Sequence, residues 1–400
     1  MSKLMGPVER RAHIVVRHDG EAGYRPRVLH LINNFEIGGT ERQAVELLKR
    51  LDSNRYDVGV AAIRNAGPLY REISARFPNI AEFPVTNFYN ANAAWQFMRL
   101  HQLLVREQTD ILHAHDFYAA WLAVVAAQKT RVQVIACQRH LRLSDRQVHD
   151  WGRRIINRLA HRILVNSEAI RKHIIATSNV APQKIVVIRN GLNLPEQTPG
   201  FQKARDELCS ELGVHKDVQL VGMIANMRPV KGHFYFINAA RAVLQRLQKV
   251  HFVLVGDGPL RGEIETQAAR LGIADRVHLL GHRIDGERLQ AGFDVAVLAS
   301  LHEGFPNAVM EAMGAGVAVV ATAVGGVTEM IEDGSTGFLV PARNAEALAD
   351  RILLVLTDAG KREAVASRGR QFVMTRLGMA QMVEAVEKLY AGLMLERSRQ

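Results

Sequence analysis

Two glutamates, Glu303 and Glu311, stand eight positions apart in the segment of this chain richest in chemistry, Ser300–Glu329, SLHEGFPNAVMEAMGAGVAVVATAVGGVTE. An apolar run ends at Ser300, a turn carries Glu303, Gly304, Phe305 and Pro306, and a helical pattern follows. Pro306 suits the first helical position. The backbone N–H groups of Asn307, Ala308 and Val309 then face outward without partners, a ready seat for a phosphate or a polarised hydroxyl. Glu311 falls about 7–8 Å along the helix axis from its start, at ~1.5 Å per residue. The two carboxylates are therefore staggered along a groove. That spacing fits hydroxyl-bearing groups at the two ends of an extended ligand, and does not fit an acid/base pair on one glycosidic bond. The plainer alternative is a solvated loop residue and an exposed helix residue. The apolar neighbours Met310, Ala312 and Met313 weigh against it for Glu311.

A second constellation is NMRPVKG, residues 226–232, between a strand pattern and a helix pattern. Arg228 and Lys231 sit at the helix mouth beside Asn226, where free amides and the helix dipole already favour an anion. Two cations there suit a diphosphate; a solvated basic loop is the alternative. In IGGTER, residues 37–42, Gly38 and Gly39 let backbone approach a ligand, and Thr40 is placed to cap the next helix. A plain tight turn explains the same residues. His113, His115 and Asp116 end another strand. The two imidazoles share one strand face with no third ligand specified, so a hydrogen-bonding histidine is expected, not a metal site. Gly256, Asp257, Gly258 and Pro259 form a turn that either binds ligand or only reverses the chain.

The elements that must carry these residues are short apolar runs, each followed by a helical stretch. The runs are 27–33, 56–63, 109–115, 132–137, 162–167 and 184–191, then 218–224, 251–258, 276–281, 293–300 and 317–322. Runs that do not alternate polar with apolar are strands covered on both faces. Their alternation with helices implies right-handed crossovers in a parallel sheet. The fold class is therefore α/β, two doubly wound parallel-sheet domains facing a cleft where the strand carboxyl ends meet. The expected divisions are an extension at 1–25, a first domain at 26–195, a link at 196–216 that holds Pro199, Gly200, Gly213 and a polar helix, a second domain at 217–378 and a final helix at 379–400.

Composition narrows the class. With 400 residues, 48% apolar and 23% charged, the chain is globular and too long for one core. Cys137 and Cys209 are two cysteines, too few for a disulfide framework, and read as reduced core residues. The first 25 residues lack the apolar stretch of a leader, and no run reaches the ~20 residues of a membrane span. A cytoplasmic location is expected, with peripheral attachment at the inner face of the membrane as an extension of it. Residues 1–195 hold 28 Lys and Arg against 16 Asp and Glu, whereas the remainder hold 23 against 24, so the excess of +11 belongs to the first half. Residues 139–162 alone carry seven Arg, with Arg153, Arg154, Arg158 and Arg162 at helical spacing. An anionic membrane surface or an acidic saccharide fits that face, as does plain solvent. Nucleic acid does not, because interleaved aromatics and a binding motif are missing.

Together these motifs resemble the retaining glycosyltransferases of family 4, which have the two-Rossmann GT-B architecture. The likeness spans about residues 27–395 and rests on Glu303 and Glu311 within EGFPNAVMEAMGAG, then VGG and Glu329, with Lys231-Gly232, GDGP and Gly38-Gly39. It implies a nucleotide-diphosphate sugar donor held mainly by the second domain. By position, Glu311 would accept the ribose hydroxyls, Glu303 would bind the donor sugar, and Lys231 with Arg228 would hold the diphosphate. The amides after Pro306 would contact sugar and phosphate, Gly39 would approach from the other domain, and His115 would bond the sugar near the reacting carbon. Two departures matter. Asn226 stands where the family commonly has Arg, and Asn190-Gly191-Leu192-Asn193 ends in an amide where the family has an acid.

The resemblance further implies transfer with retention to a saccharide or lipid-linked acceptor in cell-envelope, exopolysaccharide or lipopolysaccharide synthesis, with neither cofactor nor metal. Two alternatives share the architecture. One is a non-hydrolysing nucleotide-sugar 2-epimerase, which would need no acceptor. The other is a nucleotide-sugar-binding subunit without catalysis.

Overall fold

A computed structural model describes residues 24–88, 90–139, 147–193 and 201–399. Most of the extension at 1–25, residues 140–146 of the basic stretch and residues 196–200 of the expected link lie outside the described residues.

The apolar runs become strands because burial on both faces rewards continuous Val, Ile, Leu and Ala. The first sheet comprises β1 (Arg27–Ile32), β2 (Asp57–Ala62), β3 (Ala81–Glu82), β4 (Ile111–Ala114), β5 (Gln133–Gln138), β6 (Arg162–Val165) and β7 (Ile185–Val187). Its order is β3-β2-β1-β4-β5-β6-β7. The second comprises β8 (Gln219–Ile224), β9 (Val250–Val255), β10 (Val277–Leu279), β11 (Val295–Leu298), β12 (Ala318–Thr322) and β13 (Phe338–Val340), in the order β10-β9-β8-β11-β12-β13. Every pairing within them is parallel. In each sheet the order reverses between two central strands, β1 and β4 or β8 and β11. There the crossovers diverge and leave an opening at the carboxyl ends.

The helix that precedes the second sheet and the last helix pack on different halves. The helix Phe201–Leu212 packs on the second domain, where Leu208 and Cys209 are buried against Val218, Leu220 and Phe293. Arg205 on it pairs with the buried Asp294 at 2.5 Å. The last helix, Met379–Arg397, follows two helices of the second domain but buries Met382, Val386 and Tyr390 against Val28, Ile111 and Ile135 of the first. Its Glu387 pairs with Arg55 and its Arg397 with Asp110.

Candidate active site

The second sheet's opening is built by the loops after β8 and β11. After β8 the chain makes a short 3-10 turn, Pro229–Lys231, and turns into the helix His233–Leu244 through Gly232. Gly232 has φ +70°, and a β-carbon there would run into the Ala299 carbonyl; only glycine fits. This close approach of the two loops brings Lys231 Nζ to 2.6 Å from Glu303 Oε1. Ser300 Oγ donates to the same carboxylate oxygen at 2.6 Å. Arg228 and Asn226 are exposed on the rim of this loop. Beyond it lies the GDGP turn. Met227 N donates to Asp257 O at 2.9 Å, and a β-carbon on Gly256 would meet the Ala225 carbonyl, so the two loops pack backbone to backbone. The Asp257 carboxylate is exposed and accepts from Gly258 N at 2.7 Å.

The helix Asn307–Gly314 starts beside Glu303, with Phe305 and Pro306 buried behind it. Pro306 takes the capping position, one residue ahead of the expected first helical position. The first intrahelical bond runs from Met310 N to Pro306 O, so the amides of Asn307, Ala308 and Val309 precede it. Glu311 is half-buried one turn later.

The first domain approaches this helix directly. Asn190 Nδ2 donates to Asn307 Oδ1 at 2.7 Å, and Asn307 Nδ2 donates to Gly39 O at 3.4 Å. Gly304 lies so close to the Arg139 carbonyl that a β-carbon would collide with it. Glu329 reaches across to accept from Ala169 N at 3.0 Å and from Arg189 at 3.3 Å. The tightness at Gly39 is therefore against the other domain. Thr40 does not cap the helix Gly39–Arg50, which starts one residue too early for that; Gly38 holds the capping position. The Glu41 carboxylate folds back over Gly38.

The first sheet's opening has a different chemistry. His115 is fully buried, with Nε2 2.9 Å from His30 Nδ1. His30 lies opposite His113 in the β1–β4 register, which supplies a third imidazole that the HxH spacing alone does not reveal. The three rings each bring a nitrogen within 4.8 Å of the others. They pack as stacked or tilted neighbours, 4.3 Å between His113 and His115, with the contact to His30 at hydrogen-bond distance. Burial holds all three neutral: the His30 pKa falls to about 3, and those of His113 and His115 fall well below the usual value. Asp116 caps the helix Phe117–Ala126 by accepting from Ala119 N at 2.9 Å, yet burial pushes its pKa up to about 6.

The structure thus brings Lys231 and Glu303 together beside the free amides, with Gly39 facing Asn307. Arg228, Asn226 and Asp257 stand on the exposed rim, and His115 lies inside the first domain. Sequence reasoning did not single out Ser300, Arg139, His30 or Tyr390 as site residues. Ser300 was findable, since it ends a strand three residues before Glu303. The others depend on which strands become neighbours.

Residues 37–196 match the family model Glycosyltransferase Family 4, and residues 218–358 match the model Glycosyl transferases group 1. The chain is 24% identical over 376 residues to a UDP-Gal:alpha-D-GlcNAc-diphosphoundecaprenol alpha-1,3-galactosyltransferase of Escherichia coli, covering 90% of this chain and 95% of that one. It is 25% identical over 367 residues to a D-inositol 3-phosphate glycosyltransferase of Kribbella flavida, covering 82% and 85%. Among solved structures, Anabaena HepE in complex with UDP and glucose aligns with a TM-score of 0.80 at 23% identity, covering 92% of this chain and all of that one. This last likeness concerns the fold.

Proposed function

Because this chain belongs to the group 1 glycosyltransferases of family 4, we propose that it moves a sugar with retention from a nucleotide-diphosphate donor to a saccharide or lipid-linked acceptor in polysaccharide or envelope synthesis. The observation that carries the donor reading is the Lys231–Glu303 pair, 2.6 Å apart at the start of a helix with free amides. A diphosphate entering there competes with Glu303 for the ammonium and takes up the amides of Asn307, Ala308 and Val309. Glu303 is then released to the sugar hydroxyls, Glu311 takes the ribose, and Arg228 closes over the phosphates from the rim.

The acceptor hydroxyl attacks on the face the nucleotide leaves. Its oxygen bonds the sugar carbon as the bond to the phosphate oxygen breaks, and its proton passes to the leaving phosphate. The protein contributes position and charge, each cation on the leaving group supplying about 2–4 kcal/mol. The relatives support this reading through their names: one handles a UDP-sugar and a diphosphoundecaprenol-linked acceptor, another an inositol phosphate. No metal is required where Lys231, Arg228 and amides meet the leaving charge; activity undiminished in chelator checks this.

The acceptor side is the first domain, whose outer helices Ala91–Arg106 and Gln147–Leu159 both flank Phe117–Ala126. The first exposes Trp95 and Met98, and the second exposes Trp151 together with Arg154 and Arg158 at helical spacing. Aromatic and basic groups side by side suit an anionic membrane surface. No helix among the described residues is long and apolar enough to cross a membrane.

Thermal shift against a panel of nucleotide sugars tests the donor reading, since a donor at 100 times its dissociation constant adds about 2.7 kcal/mol. A shift with none of them defeats it, and a new sugar nucleotide formed without acceptor turns the reading to an epimerase. Sedimentation with anionic vesicles at low salt tests the membrane face, which fails if neutral vesicles bind equally.

A further inference from the structure

Glu303 is held by two donors of different kinds, and both reach the same oxygen. Lys231 Nζ and Ser300 Oγ each lie 2.6 Å from Oε1. Oε2 accepts from no group among the described residues and is not buried, so it is the oxygen left to a ligand. The two donors stand on different footings. Lys231 ends the Pro229–Lys231 turn and keeps a partly accessible side chain. Ser300 is fully buried just beyond β11. Its carbonyl accepts from Thr322 Oγ1 at 2.6 Å, at the end of the neighbouring strand β12, and the next amide, Leu301 N, donates to Val230 O at 2.8 Å. The serine is thus fastened to the sheet on one side and to the lysine loop on the other.

A hydroxyl has one proton and gives it in one direction. An ammonium carries three on a flexible four-carbon stem, and as a compact charge it follows the strongest anion within reach. The two donors therefore answer a diphosphate differently. The ammonium turns toward the new charge, while the hydroxyl, set by buried backbone, stays on the carboxylate. Without that hydroxyl, Oε1 would lose its remaining donor as the lysine left. An enclosed carboxylate oxygen stripped of its donor would swing after the lysine and contest it with the phosphate.

We propose that Ser300 is a positioning residue of the donor site: it anchors Glu303 Oε1, so that Oε2 stays presented to the hydroxyls of the donor sugar after Lys231 has turned to the diphosphate. The proposal rests on the reading of Glu303 as a contact of the donor sugar, and it adds which oxygen makes that contact and what holds it there. Ser300 then serves recognition of the sugar and not of the nucleotide, because it acts only through Glu303. Thr322 lends the serine its fixed backbone and touches no ligand.

The test titrates full-length protein calorimetrically with two probes: the nucleotide sugar that the thermal-shift panel selects, and the nucleoside diphosphate that remains when its sugar is removed. Ser300→Ala is expected to weaken the nucleotide sugar roughly 10-fold or more, the worth of one hydrogen bond to a charged group, and the nucleoside diphosphate less than about 2-fold. Ser300→Cys, close in size but a weaker donor, is expected to fall between Ser300→Ala and the unaltered protein. In a Glu303→Ala background, Ser300→Ala is expected to change neither affinity further, whereas a general loosening of the site would lower both again. If Ser300→Ala does not fold, Ser300→Cys carries the same comparison. Equal weakening of both probes, an unchanged ratio of the two affinities in both serine variants, or a further loss in the Glu303→Ala background overturns the proposal. A Glu303→Ala protein that keeps the unaltered ratio would instead defeat the sugar-contact reading of Glu303, and the role of Ser300 with it.

Discussion

The same sheet-and-helix plan produces two openings with opposite electrostatics. At the second sheet, Lys231 and Glu303 stay partly exposed, with side chains 26% and 10% accessible, and meet as a charged pair. At the first sheet, His30, His113 and His115 are wholly buried and held neutral, and Asp116 beside them resists ionisation. The difference comes from cover. The loops after β8 and β11 end at the cleft, whereas the last helix lies across β1 and β4 and seals them. Exclusion of water strips charge from the imidazoles of the first mouth. The second mouth thus offers an ion pair beside a helix start, the first only uncharged imidazoles.

Acidification strains that contrast most. Folded-state pKa values below the unfolded value mean that the unfolded chain binds more protons, so the stability from His30, His113 and His115 is present above about pH 6.5 and is lost as pH falls. Between pH 6.5 and 5 each buried imidazole is expected to remove about 2 kcal/mol. Asp116 works in reverse, because a raised carboxyl pKa adds stability as pH falls through about 6, but it is one group against three. Urea unfolding at the two pH values checks the sum. Amide exchange at pH 5 should show the first domain losing protection before the second; the reverse order would erase the contrast between the two domains.

Next comes Lys231→Ala, expected to lower turnover at least about 100-fold while circular dichroism reports an intact fold. Near-normal turnover would remove charge from the description of the second mouth. Gly232→Ala forces φ +70° on a residue with a β-carbon and drives that carbon into the Ala299 carbonyl. A loss of about 1–3 kcal/mol in urea titration is expected, and a neutral outcome would mean the Lys231 loop is pliable. The smallest effect belongs to Glu329→Ala. It removes the cap on Ala169 N and the partner of Arg189, for about 1 kcal/mol, with the domain spacing in X-ray scattering widening slightly.

The alternation of strands and helices was legible because doubly covered strands are unbroken apolar runs. β3 and β13 were not, since two and three residues at sheet edges carry too little pattern. Helix starts shifted by one residue at Gly39 and Pro306, where backbone geometry and a folded-back glutamate outweigh the usual capping preferences.

What the sequence determined by itself is local: the turn and helix that stagger Glu303 and Glu311, and the basic loop that precedes a helix. These follow from neighbours a few residues apart, whose geometry backbone periodicity dictates. The tertiary structure decided every meeting across long separations. Lys231 finds Glu303 over 72 positions, Glu329 finds Ala169 over 160, and Tyr390 finds His30 over 360. Strand order and the path of the last helix set those meetings, and both are outcomes of packing whole layers, which no short window of residues encodes.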